Sequence, residues 1–113
     1  MKNHYIDNDR FEEIILSYQR DPETYEEDLV SLFDVLITNI IESFKFKVDS
    51  GDAKQECFIL VLKTVKNFKP RKGTAFNYFT TIIINNLKLL YTREKKYNKK
   101  IENYIERKKD DFI

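Results

Sequence analysis

The sequence has few of the residues that break or staple a chain. Its 113 residues include two glycines, two prolines, one cysteine, one histidine and no tryptophan. So few breakers argue against a many-turned sandwich or barrel and suit long helices. One cysteine, Cys57, excludes an internal disulfide and a cysteine-based metal cluster, and fits a reducing, intracellular setting. The longest apolar runs, FILVL at 58–62 and TIII at 81–84, fall far short of a membrane span. The N-terminus, MKNHYIDNDRFEE, lacks the apolar stretch of a secretory signal. Catalytic signatures are missing too. There is no Walker loop, no GxGxxG and no HExxH. His4 stands alone near the terminus. Cys57 lies among apolar residues with no histidine nearby in sequence to activate it, so it reads as a small buried hydrophobe. No catalytic residue, metal or cofactor is expected.

What is present is a core and an uneven charge. At 42% apolar and 14% aromatic, the chain can bury one real core, so a single domain is expected. The net charge is only +1, but residues 1–50 carry 5 Lys/Arg against 12 Asp/Glu. Residues 63–100 carry 11 basic side chains against Glu94 alone. A segment at +10 fits a polyanionic partner on one side of the molecule; a solvated, lysine-rich surface is the plainer alternative.

The periodicity predicts four helices. Asp7 or Asp9 caps a first one through Arg20, with Phe11, Ile14, Ile15 and Tyr18 on one face. Asp21-Pro22-Glu23 breaks and restarts the chain. A second helix is expected over 24–47, acidic at its start (Glu23, Glu26, Glu27, Asp28) and basic at its end (Lys45, Lys47). Its core stripe is Leu29, Leu32, Phe33, Leu36, Ile40, Ile41 and Phe44. VDSGD at 48–52 reads as a turn. A third helix is expected from about Asp52 to Phe68, with Phe58, Leu62 and Val65 inward and Ile59 and Val61 widening that face. Pro70 and Gly73 punctuate the chain, and a fourth helix runs from near Thr74 to about residue 106. The fold expected is therefore all-α: one compact domain of about four helices with a long C-terminal helix.

Two constellations stand out. Asp52, Gln55 and Glu56 share one face of helix three's first turn. They read either as a capping box with Asp as the cap, which the spacing favours, or as a polar docking patch. The second constellation is FKPRKGTAFNYFTT at 68–81, a basic turn that runs straight into three rings. On a helix, Phe76, Phe79, Ile83 and Asn86 form one stripe, and Tyr78, Ile82, Asn85 and Leu89 form its neighbour. Rings can stack on bases and amides can hydrogen-bond base edges. Lys69, Arg71 and Lys72 before them, and Lys88, Arg93, Lys95, Lys96, Lys99 and Lys100 after them, would hold phosphates. The competing reading puts all three rings in the core. That is the better reading for Phe76, while Phe79 is expected at the core's rim.

The run Asp52-x-x-Gln55-Glu56, Phe58, Leu62, Phe68-x-Pro70-x-Lys72-Gly73-Thr74-x-Phe76-x-x-Phe79 and Asn86 resembles region 2 of the sigma-70 family. These are the promoter-specificity subunits of bacterial RNA polymerase. The resemblance spans about residues 24–97, leaving 1–23 as an N-terminal helix and linker and 98–113 as a charged helical extension or tail. It implies an all-helical domain. Asp52, Gln55 and Glu56 would dock on the clamp coiled coil of the largest catalytic subunit of the core polymerase. The following loop and helix would open a minus-ten element and hold its non-template strand. Phe79 falls where the family stacks a flipped adenine, Phe76 at a mostly structural aromatic, and Asn86 where the helix turns toward the upstream duplex.

Two departures qualify this. Ile82 and Ile83 stand where primary sigma factors carry a tryptophan pair, and no minus-35 domain follows. A chain of region 2 alone is similar to the late-gene sigma subunits of T-even-like phages. Those work in the cytoplasm of a bacterial host with a co-activator and a sliding clamp. The ending KKDDFI is similar to their clamp-binding tails, although a frayed terminus is the plainer reading. Two alternatives stay open: a sigma mimic that occupies the clamp without reading a promoter, and a general single-stranded DNA-binding protein.

Overall fold

The computed structural model describes residues 6–44, 50–70 and 73–111. The fold is all-α. It comprises α1 (Asn8–Arg20), α2 (Pro22–Ser43), α3 (Ser50–Thr64), a 3₁₀ turn (Val65–Asn67) and α4 (Ala75–Asp111). No helix among the described residues is long and apolar enough to cross a membrane.

A single residue joins α1 to α2. Asp21 closes α1, its N–H donating to the Ser17 carbonyl at 2.8 Å, and opens α2, its carboxylate accepting from the Thr24 N–H at 3.4 Å. Pro22 takes the first helical position, where a missing N–H costs nothing. At the other end, Asp7 caps α1 by accepting from the N–H groups of Asp9 and Arg10.

The four helices share one core. Phe11, Ile14 and Ile15 come from α1, and Leu29, Phe33, Leu36 and Ile37 from α2. Ala53, Cys57 and Val61 come from α3, and Ala75, Phe79, Ile83, Leu87 and Leu90 from α4. Residues 8–20 are thus built into the same core as the rest. Each fully buried Phe or Leu contributes about 1.5–3 kcal/mol of transfer free energy.

Several expectations shift. Helix α2 ends at Ser43, with Phe44 as an extended C-cap, short of residue 47; Lys45 and Lys47 lie outside the described residues. Only Glu23 of its four early acids falls in the first turn. Ser50, Gly51 and Asp52 are helical, where a turn was expected. The α3 face is rotated: Ala53, Cys57 and Val61 point inward at i, i+4, i+8, while Leu62 and Ile59 are exposed. The reason is the partner. Helix α3 lies between α2 and α4, and the small side chains of Ala53 and Cys57 permit close approach. The α3 helix stops at Thr64, whose hydroxyl donates back to the Leu60 carbonyl at 3.0 Å. Helix α4 continues to Asp111, five residues past expectation. At about 1.5 Å per residue, its 37 residues reach roughly 55 Å, so it projects beyond the domain and sets the 65 Å long axis.

Candidate nucleic-acid interface

The basic turn leads into α4 through a defined cap. Gly73 has φ +105°, and a Cβ there would meet nothing within 4 Å; backbone conformation, not space, favours glycine. Thr74 then accepts from the Asn77 N–H through its hydroxyl at 3.2 Å. Lys69 and Pro70 are exposed. Arg71 and Lys72 lie outside the described residues.

Phe79 does not sit at the rim. It is 0% exposed and is the hub of an aromatic cluster. Its ring centroid lies 5.1 Å from Phe33, 6.1 Å from Phe11, 6.0 Å from Phe68 and 4.9 Å from Tyr78. Ala75, Phe79, Ile83 and Leu87 at i, i+4, i+8, i+12 form the buried stripe, so Phe79 belongs to the core by its place on the helix. The expected stacking role on this ring is corrected: no face of it is open to a base. Phe76, expected in the core, is only half-buried, as is Tyr78. Tyr78 packs against Phe68 at 5.4 Å and against Phe79. The partly open rings are therefore Phe76 and Tyr78.

The amides also divide. Asn85 is exposed. Asn86 is half-buried, and its Nδ2 donates to Cys57 Sγ at 3.6 Å, which turns it onto α3 and away from an outer surface. Burial pushes the Cys57 thiol above its ordinary value; the Asn86 hydrogen bond opposes this and the nearby Glu56 charge adds to it. A buried, protonated thiol is a poor nucleophile.

Downstream, Lys88, Arg93, Lys95 and Lys96 are all exposed. Together with Asn77, Thr81, Asn85 and Thr92, Lys88, Lys95 and Lys96 form an outward polar ridge on α4; Arg93 lies off it, on the side that faces α3. The sequence reading missed Asn77, Thr81 and Thr92. Their signal was the four-residue spacing Asn77, Thr81, Asn85, opposite the buried stripe.

The α3 trio is exposed at Asp52 and Gln55 and half-exposed at Glu56. Because α3 starts at Ser50, Asp52 lies inside the first turn, where its charge suits the helix dipole; it is not the N-cap that the capping-box reading required. Glu56 meets Arg93 of α4, Oε1 to Nη2, at 3.1 Å. One assigned docking residue is thus paired with one assigned phosphate contact. Beside them Lys54 pairs with Asp34 of α2 at 2.7 Å. A shallow cleft at this junction is lined by Asp52, Glu56, Leu90, Arg93 and Tyr97, among others. Among the described residues no group of three or more His, Cys, Asp or Glu could hold a metal ion.

Comparison with known proteins returns no matching family model, no matching curated protein and no matching solved structure.

Proposed function

We propose that this chain is a small sigma-type subunit that docks on a bacterial core RNA polymerase and engages the non-template strand of an AT-rich, minus-ten-like promoter element. The observation that carries the reading is the placement of two motifs on adjacent, connected elements. The exposed Asp52-x-x-Gln55-Glu56 face starts α3, and the basic turn and polar ridge follow on the loop and α4.

The chemistry is non-catalytic. Lys69, Lys88, Lys95 and Lys96 offer cations to successive phosphates. Asn77 and Asn85 present amides that can hydrogen-bond base edges, and the half-open rings of Tyr78 and Phe76 offer stacking surfaces. Phe79 backs Tyr78 from within the core and holds it in place. Ile83 is buried, and the half-buried Ile82 is aliphatic, so neither supplies an aromatic wedge. Strand opening then relies on AT-richness and on a co-activator; a late-phase phage programme with a sliding clamp, in the host cytoplasm, fits that dependence.

A specific observation favours a second reading. Phe79 is buried and Asn86 faces Cys57, so two residues that the resemblance assigns to DNA are withheld. A mimic that occupies the clamp without reading a promoter needs only the α3 face. Run-off transcription by bacterial core polymerase on AT-rich late-type promoters separates the two. The sigma reading expects product only when the chain is added. Inhibition of transcription by another sigma subunit, with no product of its own, supports the mimic. Single-strand binding without polymerase binding supports a general single-stranded DNA-binding protein.

A further inference from the structure

Helix α1 lies outside the stretch that carries the family resemblance, yet it makes two long-range polar contacts to the protein's basic turn. Gln19 Nε2 donates to the Val65 carbonyl at 2.8 Å and to the Phe68 carbonyl at 3.0 Å, where the turn begins. Glu12 Oε1 accepts from the Ala75 N–H at 3.1 Å, where the turn ends and α4 starts. These contacts bridge 46 to 63 residues of sequence. Both side chains are half-buried.

We propose that α1 is a brace that fixes the two ends of the basic turn, Phe68 and Ala75, with Glu12 and Gln19 as its positioning residues. This rests on the proposed function. Glu12 and Gln19 are seven residues apart, so they lie on one face of α1, about 10 Å apart along its axis. Phe68 and Ala75 are also seven residues apart, and a stretched chain of that length could span roughly 24 Å. The brace therefore holds the two ends of the turn far closer than the chain requires. Docking α1 alone would not need this, because Phe11, Ile14 and Ile15 already anchor it in the core.

The two contacts also work on different groups. Gln19 adds a second donor to the Val65 carbonyl, which already accepts from the Phe68 N–H, and reaches the Phe68 carbonyl just past the 3₁₀ turn. The Glu12 carboxylate meets an N–H at the start of α4 that has no partner inside the helix. Pinning both ends removes conformational freedom that a turn would otherwise lose only on meeting DNA, and pre-organisation of that kind raises affinity. The brace thus links α1, which carries none of the residues assigned to DNA, to the affinity of the basic turn.

The test uses the full chain, alone and with bacterial core polymerase, on a fluorescent AT-rich non-template strand. The double variant Glu12→Ala/Gln19→Ala is compared with Ile14→Val or Ile14→Ala, whichever lowers the melting temperature by the same amount. The brace predicts DNA binding weakened about tenfold in the double variant and little changed in the core control. Glu12→Gln keeps an acceptor oxygen at the same reach and should bind nearly as wild type. Amide exchange at Ala75 should quicken in Glu12→Ala. If the double variant binds DNA as tightly as wild type, or the core control loses as much, the brace is wrong while the proposed function stands. If wild type itself binds no DNA under either condition, the proposed function fails and this inference with it.

Discussion

Phe79 of α4 lies edge-on to Phe33 of α2, ring centroids 5.1 Å apart at an interplanar angle of 69°. Neither side chain is exposed to solvent. The contact ties the start of α4 to the centre of the acidic α2, so Phe79 is a structural residue. Cutting a buried Phe to Ala costs about 3–5 kcal/mol. At roughly 4–8 °C per kcal/mol for a domain of this size, Phe79→Ala should lower the melting temperature by more than about 12 °C or prevent folding. A variant that melts near wild type in a calorimeter and loses only promoter opening would restore the stacking role to this ring.

Tyr78 and Phe76 should behave differently, because each is half-buried. Their truncation to Ala should cost less stability than Phe79→Ala. A stacked base is worth about 1–3 kcal/mol, so loss of single-strand affinity should fall between roughly 5-fold and 150-fold. Fluorescence titration with an AT-rich oligonucleotide measures it. Unchanged affinity in both variants would leave the rings with no DNA role.

Gln55 is the cleanest probe of docking, since it is exposed and lies outside the Glu56–Arg93 ion pair. Gln55→Ala should change stability by no more than about 0.5 kcal/mol and weaken binding to core polymerase. Glu56→Ala also releases Arg93, so the two variants need separate reading. The pair itself is exposed, and a double-mutant cycle should return a coupling of only about 0.2–1 kcal/mol. Core binding by Gln55→Ala at wild-type strength in a pull-down titration argues against the docking face.

Salt tests the basic surface. If four to six phosphates are neutralised, the log–log slope of DNA affinity against salt should lie at roughly −3 to −5. Replacing Lys88, Lys95 and Lys96 with Gln should flatten it by roughly two to three, about one unit for each phosphate no longer neutralised. A slope near zero in wild type would mean that the lysines only solvate the surface.

Cys57 gives a check on the core. Its folded-state value is raised above 9.0 by burial, so the protonated thiol is favoured in the fold. That contribution to stability is fully present below the unfolded value and is lost as pH rises through the folded one. Near neutral pH the thiol should react with a thiol-specific dye far more slowly than in denaturant. Fast labelling of native protein would show that α3 opens away from α4.

Much of the fold was legible from the sequence because helix signals are local. Pro22 behind Asp21, the three-four spacing of Leu29, Phe33 and Leu36, and the Gly73-Thr74 start of α4 each act within a turn or two of chain. The scarcity of breakers left the fourth helix nowhere to stop before its end. The charge asymmetry and the Asp52-x-x-Gln55-Glu56 and Phe76-x-x-Phe79 patterns likewise needed only composition and spacing.

What spacing could not settle is which side of an amphipathic helix meets its neighbours. Phe76 and Phe79 share a stripe, and either could have been the inner ring. The choice fell to Phe79 because Phe11, Phe33 and Phe68, brought from three other segments, converge on it. The same holds for α3, where Cys57 and Val61 face inward while Ile59 is left outside. Asn86 was read as facing DNA; its contact with Cys57 arises only when α3 and α4 are packed. Gln19 and Glu12 carry no motif, and their partners lie 46 to 63 residues away. Local propensity and periodicity thus determined that there would be four helices and which segments they would occupy. Long-range packing decided which ring is core, which amide is free and which helix steadies the basic turn, because burial is a property of what surrounds a side chain.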